Sequence, residues 1–210
     1  MSNIQIFYHM YCANDCFERF TGTYNKMVLS GLLERAEKIN VVLVGPEKET
    51  LREKLKDYSK VETHIRPNSG SEADTLNMIW EYCKTNDGNI LYLHSKGVTK
   101  PKHGNIQDWK NLMEYFLIER YGPCVESLQT NDVCGVNYLG GRPHYSGNFW
   151  WATARHIRRL KQLKPELACR LYCEYWLFDI TAKIERKEIF NSGLDHYKNA
   201  YPREKYAIEN

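Results

Sequence analysis

The chain has 210 residues, with 29 basic and 26 acidic side chains, a formal charge of +3, 15 Tyr and 5 Trp. That length suits one domain and buries about 70% of the unfolded surface. The small charge excess, with no basic run interleaved by aromatics, excludes nucleic acid as the expected partner, and no apolar stretch approaches the ~20 residues of a membrane helix. In chain order, residues 4–10 (IQIFYHM) read as a first strand and 14–35 as a helix. Residues 39–45 (INVVLVG) form a near-continuous apolar run closed by Gly45, the mark of a strand covered on both faces. Residues 46–58 open with a proline, carry charge pairs at helical spacing and read as a solvated helix. Residues 61–66 read as a short strand; Ser71 then caps a helix whose first turn is acidic, and residues 89–94 (NILYLH) read as a fourth strand.

Strands alternating with helices predict a parallel sheet with right-handed crossovers. Ligands bind such sheets beyond the carboxyl ends of the strands, where His9, Arg66 and His94 fall. The second half reads differently. Residues 106–129 predict a long amphipathic helix with a break at Gly122-Pro123; 132–138 and 148–153 read as strands joined through the glycine-rich LGGRPHYSG. Helical stretches follow, then a last strand in EIFNSG and a charged, aromatic tail over 194–210. One domain is therefore expected over 1–210, in two halves (1–100 and 101–193) followed by the tail (194–210).

The seven cysteines are Cys12, Cys16, Cys83, Cys124, Cys134, Cys169 and Cys173. Their odd number, the absence of CxxC and their apolar surroundings predict buried, reduced thiols. Cys12/Cys16 and Cys169/Cys173 have helical spacing but no accompanying His pair, so no metal site is expected from them. The first residues lack a signal-peptide pattern. The expectation is a soluble, cytoplasmic protein; oligomeric state is left open.

The stretch NSGSEADTLNMIWEYCKTNDGNILYLHSKG (68–97) resembles the donor half of GT-A glycosyltransferases, with Asn77 at the place of the family's helix asparagine. It departs where that family carries Asp-x-Asp, which holds Mn²⁺ or Mg²⁺ against the nucleotide diphosphate. Here His94 and Lys96 stand instead. Together with Trp109, VCGVNY and HYSGNFWWA, this LHSKG element is similar to rhamnan-synthesis-F-type and related viral and bacterial glycosyltransferases, over roughly residues 4 to 180. The resemblance implies an α/β GT-A fold (nucleotide-diphospho-sugar transferase, Rossmann-like), with a mixed, mostly parallel sheet flanked by helices. It also implies a glycosyltransferase that moves a hexosyl or deoxyhexosyl group from a nucleotide sugar to a glycan or other hydroxyl acceptor, inverting the anomeric centre.

A departing diphosphate needs positive charge, which Lys96, helped by His94, supplies without a metal. No required cofactor is expected beyond the nucleotide sugar, with Mn²⁺ or Mg²⁺ an open alternative. The plain alternative makes His94 a hydrogen-bonded strand end and Lys96 a solvated turn residue. Glu174, in LYCEYWLFDI, takes the place of the acceptor's general base; partial desolvation among Tyr172, Tyr175 and Trp176 would favour that role. Asp179 is the weaker candidate, and a surface glutamate the plain alternative. Donor contacts are expected from Tyr8, His9, Tyr11, Arg66, Asn68, Asp74, Asn77 and Ser95, and from His196 and Tyr197 if the tail folds over the diphosphate. Acceptor contacts are expected from His144, Tyr145, Ser146, Gly147 and Asn148, and from Trp150, since adjacent Trp150 and Trp151 point to opposite faces of a strand. Two other classes compete: a non-catalytic carbohydrate- or nucleotide-sugar-binding module, and, ranked lower for want of a P-loop or GxGxxG, a different doubly wound nucleotide-dependent transferase.

Overall fold

A computed structural model describes residues 3–99, 103–164 and 170–208. Seven strands form one sheet in the order β3-β2-β1-β4-β8-β5-β9. They are β1 (Ile4–Tyr11), β2 (Ala36–Val44), β3 (Val61–Ile65), β4 (Asn89–His94), β5 (Val133–Val136), β8 (Trp150–Thr153) and β9 (Arg186–Phe190). β8 runs antiparallel to β4 and β5, and the remaining pairs are parallel. The sheet is thus mixed and mostly parallel, with helices packed against it. A small hairpin, β6 (Tyr138–Leu139) with β7 (His144–Tyr145), stands beside it.

Period-two alternation sorts the strands into two cores. Ile4, Ile6, Tyr8 and Met10 of β1 join Leu91 and Leu93 of β4 on one face, under α1 (Cys16–Leu29) and α5 (Gly104–Glu114). Phe7, Ile90 and Tyr92 lie on the other face with Leu76 and Ile79 of α4 (Glu72–Cys83). Trp150 and Trp151 separate in the same way, Trp151 into the first core and Trp150 into the second.

The expected helix over 14–35 divides at Gly31, whose φ of +76° starts the short α2 (Leu32–Arg35). α3 (Lys48–Lys54) is shorter than its charge pattern suggested. The long helix expected over 106–129 is α5, a π-helical turn at Tyr115–Glu119, and α6 (Gly122–Ser127), which begins at the Gly122-Pro123 break. α7 (Ala154–Ile157) is one turn, and α8 (Arg170–Tyr175) runs into a 3₁₀ turn at Trp176–Phe178. Cys12, Cys16, Cys83, Cys124, Cys134 and Cys173 are free and buried, while Cys169 lies outside the described residues. No helix among the described residues is long and apolar enough to cross a membrane.

Candidate active site

Parallel pairing sets His9 of β1 directly beside His94 of β4, at the carboxyl ends of both strands. Beyond them lies a cleft of about 280 Å³, lined by His9, Tyr11, Ser71, Glu72, His94, Ser95, Lys96 and Tyr197, among others. A second cleft, of about 520 Å³, is lined by Trp109, Asn137, His144, Ser146, Gly147, Glu174, His196 and Tyr197, among others. Tyr197 faces both. The two also meet through His94, whose Nε2 lies 2.9 Å from the Gly147 carbonyl oxygen and so carries the proton.

Lys96 is only 5% exposed, so it is not a solvated turn residue. Its ammonium sits 3.5 Å from the centre of the Trp109 ring and 5.7 Å from that of Tyr197. A desolvated cation over an indole gains about 2 kcal/mol. Arg19 holds the turn below by donating to the Lys96 carbonyl at 2.9 Å. The Ser95 hydroxyl accepts from the Tyr11 N–H at 2.8 Å, tying the two strand ends together.

The tail folds onto this group. His196 stacks on Trp109 at 5.5 Å, and Tyr197 meets the indole edge-on at 5.0 Å. Asn137 Nδ2 donates to His196 Nε2 at 3.2 Å, so the neutral ring carries its proton on Nδ1. Burial, then the neighbouring Lys96, push the His196 pKa down, which keeps the ring neutral; a nearby Asp195 opposes them. His196 Nδ1 and Trp109 Nε1 are both buried without a hydrogen-bond partner among the described residues. Each such donor costs about 1–3 kcal/mol, which an oxygen reaching it would relieve.

Glu72, at the first position of α4, escaped the sequence reading because it looks like an ordinary acidic first-turn residue. Its Oε2 accepts from Tyr92 Oη and from Asn148 Nδ2, each at 2.8 Å. Burial alone would raise its pKa, but attraction to His94 and His9 and these two hydrogen bonds bring it below the ordinary carboxylate range. Burial lowers both histidines in turn, His9 to about 4, with Glu72 opposing the shift in each. At neutral pH the imidazoles are therefore uncharged, and the Tyr92 and Asn148 donors remain on the carboxylate. His9 Nδ1 is fixed by Thr75 Oγ1 at 2.9 Å.

The other expected residues divide clearly. Tyr11, 37% exposed, rims the first cleft with His9 and Ser95, while His144, Ser146, Gly147 and Glu174 line the second. Glu174 is half-buried on α8, not a plain surface residue. Asn148 has φ +57°, a conformation asparagine tolerates, and bridges Glu72 to Trp150 Nε1. Asp179 is exposed just past the 3₁₀ turn and lines neither cleft.

Several expected contacts are instead structural. Tyr8 points into the first core, 3.3 Å from the Thr23 hydroxyl. Tyr145 lies against Gly135 and donates to the Lys187 carbonyl at 2.8 Å. Trp150 is buried and has no face left for a sugar. Asp74 accepts from the Ser71 N–H in a capping box, and Asn77 pins the backbone of Leu163 through both its amide atoms. Arg66 donates to its neighbouring carbonyl of Ile65, Asn68 is exposed, and neither lines the first cleft. Among the described residues, no group of three or more His, Cys, Asp or Glu side chains could hold a metal ion.

Residues 7–208 match the domain family described as "Domain of unknown function (DUF8361)". The chain belongs to that family. No curated protein matches it. Among solved structures, Rv0371c from Mycobacterium tuberculosis H37Rv in complex with manganese is similar at 9% identity and TM-score 0.48, over 91% of this chain and 90% of that one. A 4-diphosphocytidyl-2C-methyl-D-erythritol synthase from Anaerococcus prevotii DSM 20548 is similar at 11% identity and TM-score 0.45, over 90% of this chain and 87% of that one. At these scores neither likeness bears on this chain's chemistry.

Proposed function

We propose that this chain is a glycosyltransferase of GT-A type, moving a sugar from a nucleotide-sugar donor to a hydroxyl acceptor with inversion and without a required metal. One observation carries the reading: a lysine ammonium is held nearly out of water at the carboxyl end of the central strands, where two clefts meet. The motif resemblance adds the reaction class. The nucleotide diphosphate occupies the smaller cleft, with the phosphates toward Lys96 and the base toward Tyr11. The acceptor occupies the larger one, against His144, Ser146 and Glu174.

In the reaction, the acceptor oxygen attacks the anomeric carbon, and the bond from that carbon to the diphosphate oxygen breaks. The electron pair leaves with the diphosphate, whose growing charge Lys96 meets. Glu174 takes the acceptor's proton. In this reading Lys96 and Glu174 act on the leaving group and the acceptor, while His94, uncharged, orients the Gly147 backbone instead of adding positive charge.

The test is a thermal-shift screen of nucleotide sugars with and without Mn²⁺. A donor at a hundred times its Kd stabilises the fold by about 2.7 kcal/mol. Stabilisation without metal, followed by transfer that falls about 10²-fold or more in Glu174→Gln, is the expected result. Saturable binding without transfer or nucleotide release would establish a non-catalytic binding module instead.

A further inference from the structure

The mechanism above leaves one carboxylate of the first cleft without a task. Glu72 lines that cleft, and its Oε2 is fully occupied by Tyr92 and Asn148, so the plane of the carboxylate is fixed. Its Oε1 makes no hydrogen bond among the described residues. We infer that Glu72 reads the donor's sugar, with Oε1 accepting hydrogen bonds from hydroxyl groups of the sugar to be transferred. The inference rests on the glycosyltransferase reading above and names a contact that it lacks.

Three observations select that ligand part. The first is charge. An ionised carboxylate repels phosphate, so the diphosphate belongs at Lys96 and a neutral, hydroxyl-bearing part belongs at Glu72. The second is position. The transferred sugar must lie where the donor and acceptor clefts meet, and Glu72 is bonded to Asn148, the neighbour of Gly147, which lines the acceptor cleft and holds His94. The ribose and base belong to the far side, toward Tyr11. The third is proton affinity. A carboxylate held below its ordinary range is a poor base but a strong, permanent hydrogen-bond acceptor. Glu72 and Glu174 therefore divide the work, one orienting the sugar and the other taking the acceptor's proton.

The experiment measures Kd by calorimetry for UDP-glucose, UDP-N-acetylglucosamine, GDP-mannose and dTDP-rhamnose, and for UDP, GDP and dTDP alone. It uses the wild-type chain, Glu72→Gln and Tyr92→Phe. For the sugar the wild type prefers, Glu72→Gln is expected to weaken binding about tenfold or more, the loss typical of a hydrogen bond to a charged group. The matching nucleoside diphosphate is expected to bind within twofold of wild type. Tyr92→Phe removes one hydroxyl, keeps the ring and leaves Glu72 Oε2 held by Asn148 alone. It is expected to weaken the nucleotide sugar a few-fold with the diphosphate unchanged, and it decides the matter if Glu72→Gln does not fold.

Equal losses for nucleotide sugar and diphosphate would overturn the inference, since Glu72 would then act on the cleft as a whole. Unchanged binding in both variants would overturn it as well. A wild-type chain that binds none of these ligands would overturn the glycosyltransferase reading itself, and the inference with it.

Discussion

Glu114→Gln tests the buried charge network between α1 and α5. Glu114 is 1% exposed, on the last turn of α5. Its carboxylate receives Lys110 Nζ at 2.5 Å, Lys26 Nζ at 2.8 Å and the Thr23 hydroxyl at 2.5 Å. Burial would raise its pKa, yet the two ammonium groups take it from 4.5 down to about 2. The two ends of the pair move unequally: burial of the ammonium lowers Lys110 as well, toward its neutral form. Glu114 governs the acid limb, because it holds two cations whereas Lys110 holds one carboxylate and faces Lys26 and Arg19.

The sign follows from a depressed folded value. The unfolded chain takes up the proton first, so the stabilisation is present above pH 4.5 and is lost as pH falls toward 2. At 1.36 kcal/mol per pH unit, this amounts to about 3 kcal/mol before the cost of burying Lys110 is subtracted. Glu114→Gln leaves that lysine buried and unpaired, and so is expected to lose about 3–5 kcal/mol at pH 7. Urea unfolding followed by tryptophan fluorescence, from pH 7 down to 2, reads both effects. The variant should be less stable at neutral pH and flatter in acid. A variant within about 1 kcal/mol of wild type at pH 7, or one with the wild-type acid slope, would show that Glu114 does not carry this stabilisation.

A second acid step should lie higher on the pH scale. His9 is buried and falls from 6.5 to about 4, so the unfolded chain gains a proton that the folded one refuses. His9 should contribute a drop of about 3 kcal/mol between pH 6.5 and 4, and His9→Gln should remove that contribution while keeping a partner for Thr75 and leaving the slope of the other buried histidines; an unchanged slope in the variant would rule this out. Gly147→Ala should be costly. Its φ is +92°, and an added Cβ would lie 2.5 Å from Met113 Sδ and 3.0 Å from the Trp109 ring. Strain and overpacking together are expected to cost about 2–4 kcal/mol, a fall in Tm of roughly 5–15 °C by calorimetry, and a Tm within 2 °C of wild type would refute the packing described here.

The first half of the chain was legible because its signals are local. Continuous apolar runs ended at Gly45 and at His94, and Ser71 capped its helix as expected. The order of the second half was not legible. β8 enters between β4 and β5 and runs antiparallel, a matter of long-range pairing that no local pattern encodes. At the site, period two correctly sent Trp150 and Trp151 to opposite faces, but it could not say that both faces are covered. Asp74 and Asn77 resembled ligand-binding residues because caps and backbone pins use the same amides and carboxylates as ligand sites. Glu72 was hidden for the converse reason. Its partners Tyr92 and Asn148 come from distant parts of the chain, and only their meeting distinguishes it from a solvated first-turn glutamate.

In the proposed reaction the Lys96 ammonium meets the charge of a departing diphosphate. Steady-state turnover and donor Kd for Lys96→Ala, set against the wild type without added metal, test it most directly. Because that charge is greatest in the transition state, kcat should fall by about 10²-fold or more while Kd changes by less than about tenfold. Equal losses in kcat and Kd, or a wild-type chain that turns over only with Mn²⁺, would contradict it.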